Sequence, residues 1–437
     1  MKKTIWLLLL FFLVCFPGYS SDLTDYLQQQ PTVEKVELFG PNPFFGEAVR
    51  FFIRQPLDHK DPGKGSFLQR VFVSVRDRER PVILVTEGYA ATYGGNPRYI
   101  NELCPILDAS QVVVEHRYFG ESWPEERDWQ YLSVENAAGD HHRVVMLLKP
   151  WFSEKWINTG ISKGGQTALL HRMFFPGDVD LTVSYVAPMN FAVEDGRHER
   201  YIAREPGTRE VRRKVKAFQK EVLHRRDSLM PLFEKWVSEK KFTFRLPVTE
   251  IFDYSVLEYS FSFWQWGRDP KTIPVASGSD TEIFNHWMEV SDPGYFSLEE
   301  QERMGSFFVQ AARELGYYGY ETRPFRKILK ISTAKDYLFR LFLPDGYLPE
   351  FDPEPAFRTQ RFLNTTNLPM LFIYGKDDPW TASGVIVPKK SAVLKVVQKG
   401  GSHRTRIASL SEENKQRVLE MMEEVVGLPA PALVPDN

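Results

Sequence analysis

The chain of 437 residues sets 55 Lys and Arg against 57 Asp and Glu, a formal net charge of −2, and is 43% hydrophobic. Such a balance gives no electrostatic footprint for nucleic acid, and the local run of basic residues between Arg209 and Arg226 reads as a solvated helix face. The apolar share suffices for a sizeable buried core. With two cysteines, Cys15 and Cys104, disulfide staples are excluded as the basis of the fold; Cys104, in the apolar stretch Leu103 to Leu107, reads as a buried structural thiol.

Lys2 and Lys3 precede an almost unbroken apolar run from Ile5 to Phe16, followed by Pro17, Gly18, Ser20 and Ser21. A basic start, a short apolar stretch and small residues at a cleavage site describe a secretory signal peptide, residues 1–20. The run is shorter than the ~20 residues that span a bilayer, and no later stretch is long enough, so no stable membrane anchor is expected. Export to the periplasm or the extracellular space follows. A lipoprotein anchor at Cys15 is the rival, disfavoured because Val14 stands where a small residue is needed.

Strand-like runs follow at Val71 to Arg76, Val82 to Thr86, Val112 to Glu115 and Trp156 to Thr159, separated by segments of helical spacing such as Val134 to Leu148. Continuous apolar strands alternating with helices predict a parallel sheet covered on both faces. After Leu181 to Val186 the composition changes: long charged helical stretches (Arg209 to Lys240, Glu299 to Leu315) surround an aromatic cluster, Phe261 to Trp266. The sheet pattern returns at Met370 to Tyr374 and Val393 to Val397, and Glu412 to Val426 reads as an amphipathic helix. The organisation expected is one discontinuous α/β domain, residues 21–193 and 362–437, with a mainly helical lid inserted at 194–361.

Gly160-Ile-Ser162-Lys-Gly164 lies between a strand and a helix, the context of a nucleophile elbow in an α/β-hydrolase fold. There the serine sits on a sharp turn, the flanking glycines avoid clashes, and the N-terminus of the next helix favours developing negative charge. A serine hydroxyl needs a histidine to take its proton and a carboxylate to orient that histidine. In this fold they follow in the order serine, acid, histidine, from loops after later strands. Of the five histidines after Ser162, His171 lies in the elbow helix, and His198, His224 and His286 lie in the insertion. His403, in Lys399-Gly-Gly-Ser-His403, remains. Two carboxylates end the preceding strand, in Gly375-Lys-Asp377-Asp378-Pro379-Trp380; Asp378 is preferred, since the proline restrains its backbone and Asp377 suits a turn cap.

The oxyanion hole is expected from the amides of Lys163 and Tyr89, the latter in Thr86-Glu-Gly88-Tyr89, where Gly88 permits close approach. The Lys163 side chain reads as solvated or ion-paired. Glu115, His116 and Arg117 read as structural, with Arg117 suited to hold a carboxylate bidentately. His141 and His142 are adjacent in a helix and point to different faces, so neither a metal nor any other cofactor is expected.

Thr86-Glu-Gly-Tyr89, Glu115-His-Arg-Tyr-Phe-Gly-Glu-Ser122, Gly160-Ile-Ser-Lys-Gly-Gly165, and Asp378-Pro-Trp380 followed by Gly400-Gly-Ser-His403 stand in one order across the sheet domain. Together they resemble the secreted tripeptidyl aminopeptidases of α/β-hydrolase fold, distant relatives of prolyl carboxypeptidase and dipeptidyl peptidase II. The resemblance implies peptide substrates, with short peptides, tripeptides in that group, cut from a free N-terminus after proline. It further implies a lid that admits only short or unfolded chains. Trp264 and Trp266 are candidates to line a proline pocket, and Glu194 and Asp195 to receive the substrate ammonium. The rivals are an exported esterase or lipase with the same triad, and an inactive binding protein of the same fold.

Overall fold

The computed structural model describes residues 22–40, 42–388 and 392–427, so the signal peptide expected at residues 1–20 and Cys15 lie outside the described residues. Its nine strands are β1 (Val33–Leu38), β2 (Glu47–Pro56), β3 (Ser66–Val75), β4 (Val82–Thr86), β5 (Ser110–Val114), β6 (Trp156–Ile161), β7 (Leu181–Tyr185), β8 (Met370–Gly375) and β9 (Val393–Gln398). They form one sheet in the order β1-β2-β3-β5-β4-β6-β7-β8-β9. From β5 across to β9 every pairing is parallel. The expectation of a wholly parallel sheet fails at the other edge, where β1, β2 and β3 pair antiparallel and β3 runs antiparallel to β5. The short link 57–65 between β2 and β3 closes an antiparallel pair easily, whereas a parallel partner needs a crossover of a dozen residues or more.

Side chains of a strand alternate between the faces of the sheet, and β4 shows the result. Val82 and Leu84 enter the core under helix α1 (Val134–Leu148), with Val144 and Val145. Ile83 and Val85 enter the opposite core, which the C-terminal helix Glu412–Val426 closes with Val418 and Met422. Helix α2 (Lys163–Phe174) leaves β6 at the elbow.

Between β7 and β8 the chain makes a mainly helical excursion: α3 (Arg197–Arg204), α4 (Arg209–His224), α5 (Arg226–Lys240), α6 (Val248–Gln265), α7 (Asp280–Val290) and α8 (Leu298–Gln310). These helices have their own core, built around α6, on which every residue from Ile251 to Tyr259 is buried. After a short helix at Tyr337–Leu341, helix α9 (Glu354–Thr365) returns to the sheet, where Ala356 and Leu363 pack with Met370 and Phe372 of β8. Residue 361, the lid boundary drawn from composition, therefore falls inside a helix that covers the sheet. Among the described residues no helix is long and apolar enough to cross a membrane.

Candidate active site

Ser162 sits between β6 and α2 at φ 57° and ψ −122°, a region that L-residues rarely occupy and that stores backbone strain. Close packing enforces the turn. A Cβ on Gly160 would lie 2.2 Å from the Gly164 carbonyl, and one on Gly164 would lie 2.9 Å from the Thr86 oxygen. The Ser162 amide is tied to the Tyr185 carbonyl of β7 at 2.8 Å.

The loops after β8 and β9 meet through another glycine: a Cβ on Gly375 would stand 2.4 Å from the Gly401 backbone. This contact brings Asp378 to His403. Asp378 is fully buried, its Oδ1 accepting from the Trp380 amide at 3.1 Å and its Oδ2 lying 2.7 Å from His403 Nδ1. Asp377 faces elsewhere, its amide donating to Gly401 O at 2.7 Å and its carboxylate accepting from the Gly207 amide of the lid at 2.9 Å. The His403 amide donates to Gln265 O, at the end of α6, at 2.9 Å, so the lid also grips the histidine loop. Three of the other histidines have partners of their own: His171 at Asp178, His198 at Asn190, His286 at the Tyr259 hydroxyl.

Gly88 lies against the elbow, where a Cβ would meet Gly164 N at 2.8 Å and Lys163 Cγ at 2.7 Å. Its own amide donates to Glu87 Oε2 at 3.0 Å, and the Tyr89 amide, the loop's other donor, faces the same carboxyl. Lys163 differs from the solvated or ion-paired side chain expected. It is 3% exposed, its side-chain nitrogen donates to the Gly88 carbonyl, and the Tyr89 and Phe119 rings lie 5.4 and 5.1 Å from it. Burial holds its pKa well below the ordinary lysine range, against the pull of Glu87. Burial also raises the pKa of Glu87, against the Tyr93 hydroxyl, the Gly88 and Tyr89 amides and the Lys163 charge.

The two tryptophans part company. Trp266 is 41% exposed and its ring stands 6.0 Å from that of His403, whereas Trp264 is buried across Gly207 and lines an open cavity of about 460 Å³ inside the lid. A ring to which the sequence gives no role, Trp380, also stands near the histidine, 6.5 Å from His403 and 5.5 Å from Tyr317. The quoted Asp378-Pro-Trp380 motif contains it; Tyr317 carries no signal in sequence.

The acidic pair divides likewise. Both Asp195 oxygens are occupied by Arg197, at 2.8 and 2.6 Å, and by the Phe191 amide at 3.0 Å; although burial opposes ionisation, these contacts hold its pKa below the usual carboxylate range. That is a structural ion pair. Glu194 instead adjoins Glu199, which the sequence reading missed: a Cβ on Gly319 would lie 2.6 Å from Glu199 Oε1 and 3.6 Å from Glu194 Oε2. Glu194 Oε1 and Glu199 Oε2 are buried with no hydrogen-bond partner, and burial raises both pKa values. Farther off, Arg117 clasps Asp140 with two hydrogen bonds of 2.6 Å, a structural brace between the β5 loop and α1.

A family model described as PS-10 peptidase S37 matches residues 19–437. The prolyl tri/tetrapeptidyl aminopeptidase of Streptomyces mobaraensis is 30% identical over 408 residues, covering 91% of this chain and 83% of that one. Prolyl carboxy peptidase like protein 5 of Caenorhabditis elegans is 30% identical over 139 residues, 28% of this chain and 27% of its own. Among solved structures, a proline iminopeptidase of Mycobacterium smegmatis aligns over 85% of this chain and 98% of that chain at 12% identity, with a TM-score of 0.40.

Proposed function

The chain belongs to the PS-10 peptidase S37 family and is a serine peptidase; from that premise we propose that Ser162, Asp378 and His403 form its catalytic triad, and that it releases short peptides from free N-termini. The observation that carries the reading is the buried Asp378 Oδ2 to His403 Nδ1 contact of 2.7 Å, on loops after β8 and β9 of the sheet whose β6 ends in a serine held on a strained turn. With Nδ1 so engaged, Nε2 is the nitrogen left to take the Ser162 proton. Ser162 attacks the scissile carbonyl, and the amides of Lys163 and Tyr89 stabilise the oxyanion. His403 then protonates the leaving amine, and water, activated by the same histidine, hydrolyses the acyl-enzyme.

Release of tripeptides after proline is the reading we take, and the 30% identical relative named a prolyl tri/tetrapeptidyl aminopeptidase supports it. The Glu194 and Glu199 oxygens without partners suit a substrate ammonium, while Asp195, committed to Arg197, does not. Trp266 and Trp380, flanking His403, suit a proline ring better than Trp264. Export through the leader 1–20 completes the reading, and N-terminal sequencing of the mature protein tests it. The deciding experiment compares a tripeptide amide ending in proline with its N-acetylated form. Release from the free form alone is expected; equal release from both makes the enzyme an esterase-like or endo-acting hydrolase, and no labelling of Ser162 by a fluorophosphonate removes the triad.

A further inference from the structure

Chemistry at an elbow requires only the backbone amide of the residue after the nucleophile. At Lys163 the chain nonetheless buries a whole side-chain amine, a polar group expensive to desolvate unless something uses it. The Tyr89 and Phe119 rings, 5.4 and 5.1 Å away, offset part of the cost. A methionine would fill the same space at none of it. The side-chain nitrogen does not close on a carboxylate but donates to the Gly88 carbonyl.

That carbonyl is one end of the Gly88–Tyr89 peptide group. The bond is trans, and in a planar trans peptide the C=O and the N–H point in opposite directions. Whatever fixes the carbonyl fixes the amide. The amide in question is that of Tyr89, which faces the Glu87 carboxyl together with the Gly88 amide, the latter at 3.0 Å. A hydrogen bond donated to the carbonyl also polarises the whole peptide group and strengthens its N–H as a donor. Glu87 faces both the Tyr89 amide and Lys163, so the hold on the Gly88 carbonyl also works against the pull of this carboxyl on the amide. The absence of a Cβ at Gly88 is what lets the lysine stem lie so close to this peptide.

We propose that Lys163 is a positioning residue whose side-chain nitrogen, by its hydrogen bond, holds and polarises the Gly88–Tyr89 peptide, so that the Tyr89 amide points at the developing oxyanion. The proposal rests on the serine peptidase reading above. It is tested in the mature full-length protein with Lys163→Met, Lys163→Gln and Lys163→Arg. The readouts are kcat and KM on the tripeptide amide, Ki for a peptide boronic acid that forms a tetrahedral adduct on Ser162, Ki for the product tripeptide, and thermal unfolding. Lost oxyanion stabilisation of this kind lowers kcat about 100-fold. The Met and Gln variants should show that loss and the same factor in boronate affinity, with KM and product Ki changed less than about 3-fold; Arg should keep at least about a tenth of kcat, since it retains a long side-chain N–H donor. Unchanged kcat in Met and Gln overturns the proposal. So does parallel loss of product binding, or failure of both variants to fold, since each assigns Lys163 to packing. Fluorophosphonate labelling of the wild type separates the two levels: no labelling sinks the serine peptidase reading, whereas labelling with wild-type rates in Met and Gln sinks only the role of Lys163.

Discussion

The proposed site draws on the sheet domain and on the helical excursion between β7 and β8, the lid of our reading, and the two are held together by different means. In the sheet domain the loops meet backbone to backbone: Gly160 on Gly164, Gly88 on Gly164, Gly375 on Gly401. In the lid the corresponding contacts run between side chains. Phe261 stacks on Tyr318 at 3.7 Å, Trp380 reaches the lid rings of Phe261 and Tyr317 at 5.3 and 5.5 Å, and Glu258 is hydrogen-bonded by Ser262, Tyr318 and Tyr320. Backbone contacts tolerate no added atom, so the sheet half should fail abruptly when altered, while the lid half should degrade by steps.

The largest effect tests the first half. Ser162→Ala should lower kcat roughly 10⁶-fold, the cost of removing a triad nucleophile, and abolish fluorophosphonate labelling while thermal unfolding stays intact. Next comes the contrast between neighbours. Asp378→Asn should lower kcat about 10⁴-fold by presenting the wrong histidine tautomer, measured on the tripeptide amide. Asp377→Asn, which touches only the Gly207 amide, should change kcat less than about 3-fold, as expected of one exposed hydrogen bond. Equal losses at the two positions would show that the lid contact, and not the acid, governs the histidine.

A smaller, graded effect belongs to the lid. Removing one of two carboxylates that face an ammonium costs about a factor of ten, a charge-assisted contact of roughly 1.4 kcal/mol. Glu194→Gln and Glu199→Gln should therefore each raise KM for a free N-terminus by about that factor, with kcat nearly preserved. An unchanged KM in both variants would remove the lid from amine recognition.

The same contrast explains what could be read in the sequence. Val82–Thr86, Val134–Leu148 and Glu412–Val426 are visible by periodicity and observed with those bounds. The glycines at 160, 164, 375 and 401 mark where the loops touch, and elimination among five histidines leads to His403. The antiparallel edge was not legible, because β2 reads like any half-buried strand and pairing direction depends on the link that follows. Glu199 and Tyr317 were not legible either: many combinations of aromatic and acidic residues can fill a lid, so no spacing singles them out. Asp195 misled because a carboxylate beside Glu194 looks free until Arg197 folds back on it.

The smallest expected effect lies in the lid core and is set by pH. Glu258 is buried under the Tyr318 and Tyr320 hydroxyls, and burial raises its pKa to about 7, although the Ser262, Tyr320 and Tyr318 hydrogen bonds pull it down. A carboxyl whose pKa is higher folded than unfolded binds its proton more tightly in the native state. Its contribution is complete below the unfolded value of 4.5 and is lost as pH rises to about 7. Thermal unfolding of the wild type should thus fall between those limits relative to Glu258→Gln, which keeps a side-chain acceptor for the two tyrosines but cannot ionise. Each kcal/mol so lost corresponds to roughly 2–4 °C in a mid-sized domain. Glu314, also raised to about 7 by burial, is present in both proteins and cancels in the difference. A constant gap between the two curves from pH 4.5 to 7 would mean that Glu258 stays ionised in the fold and that the lid core tolerates a buried charge.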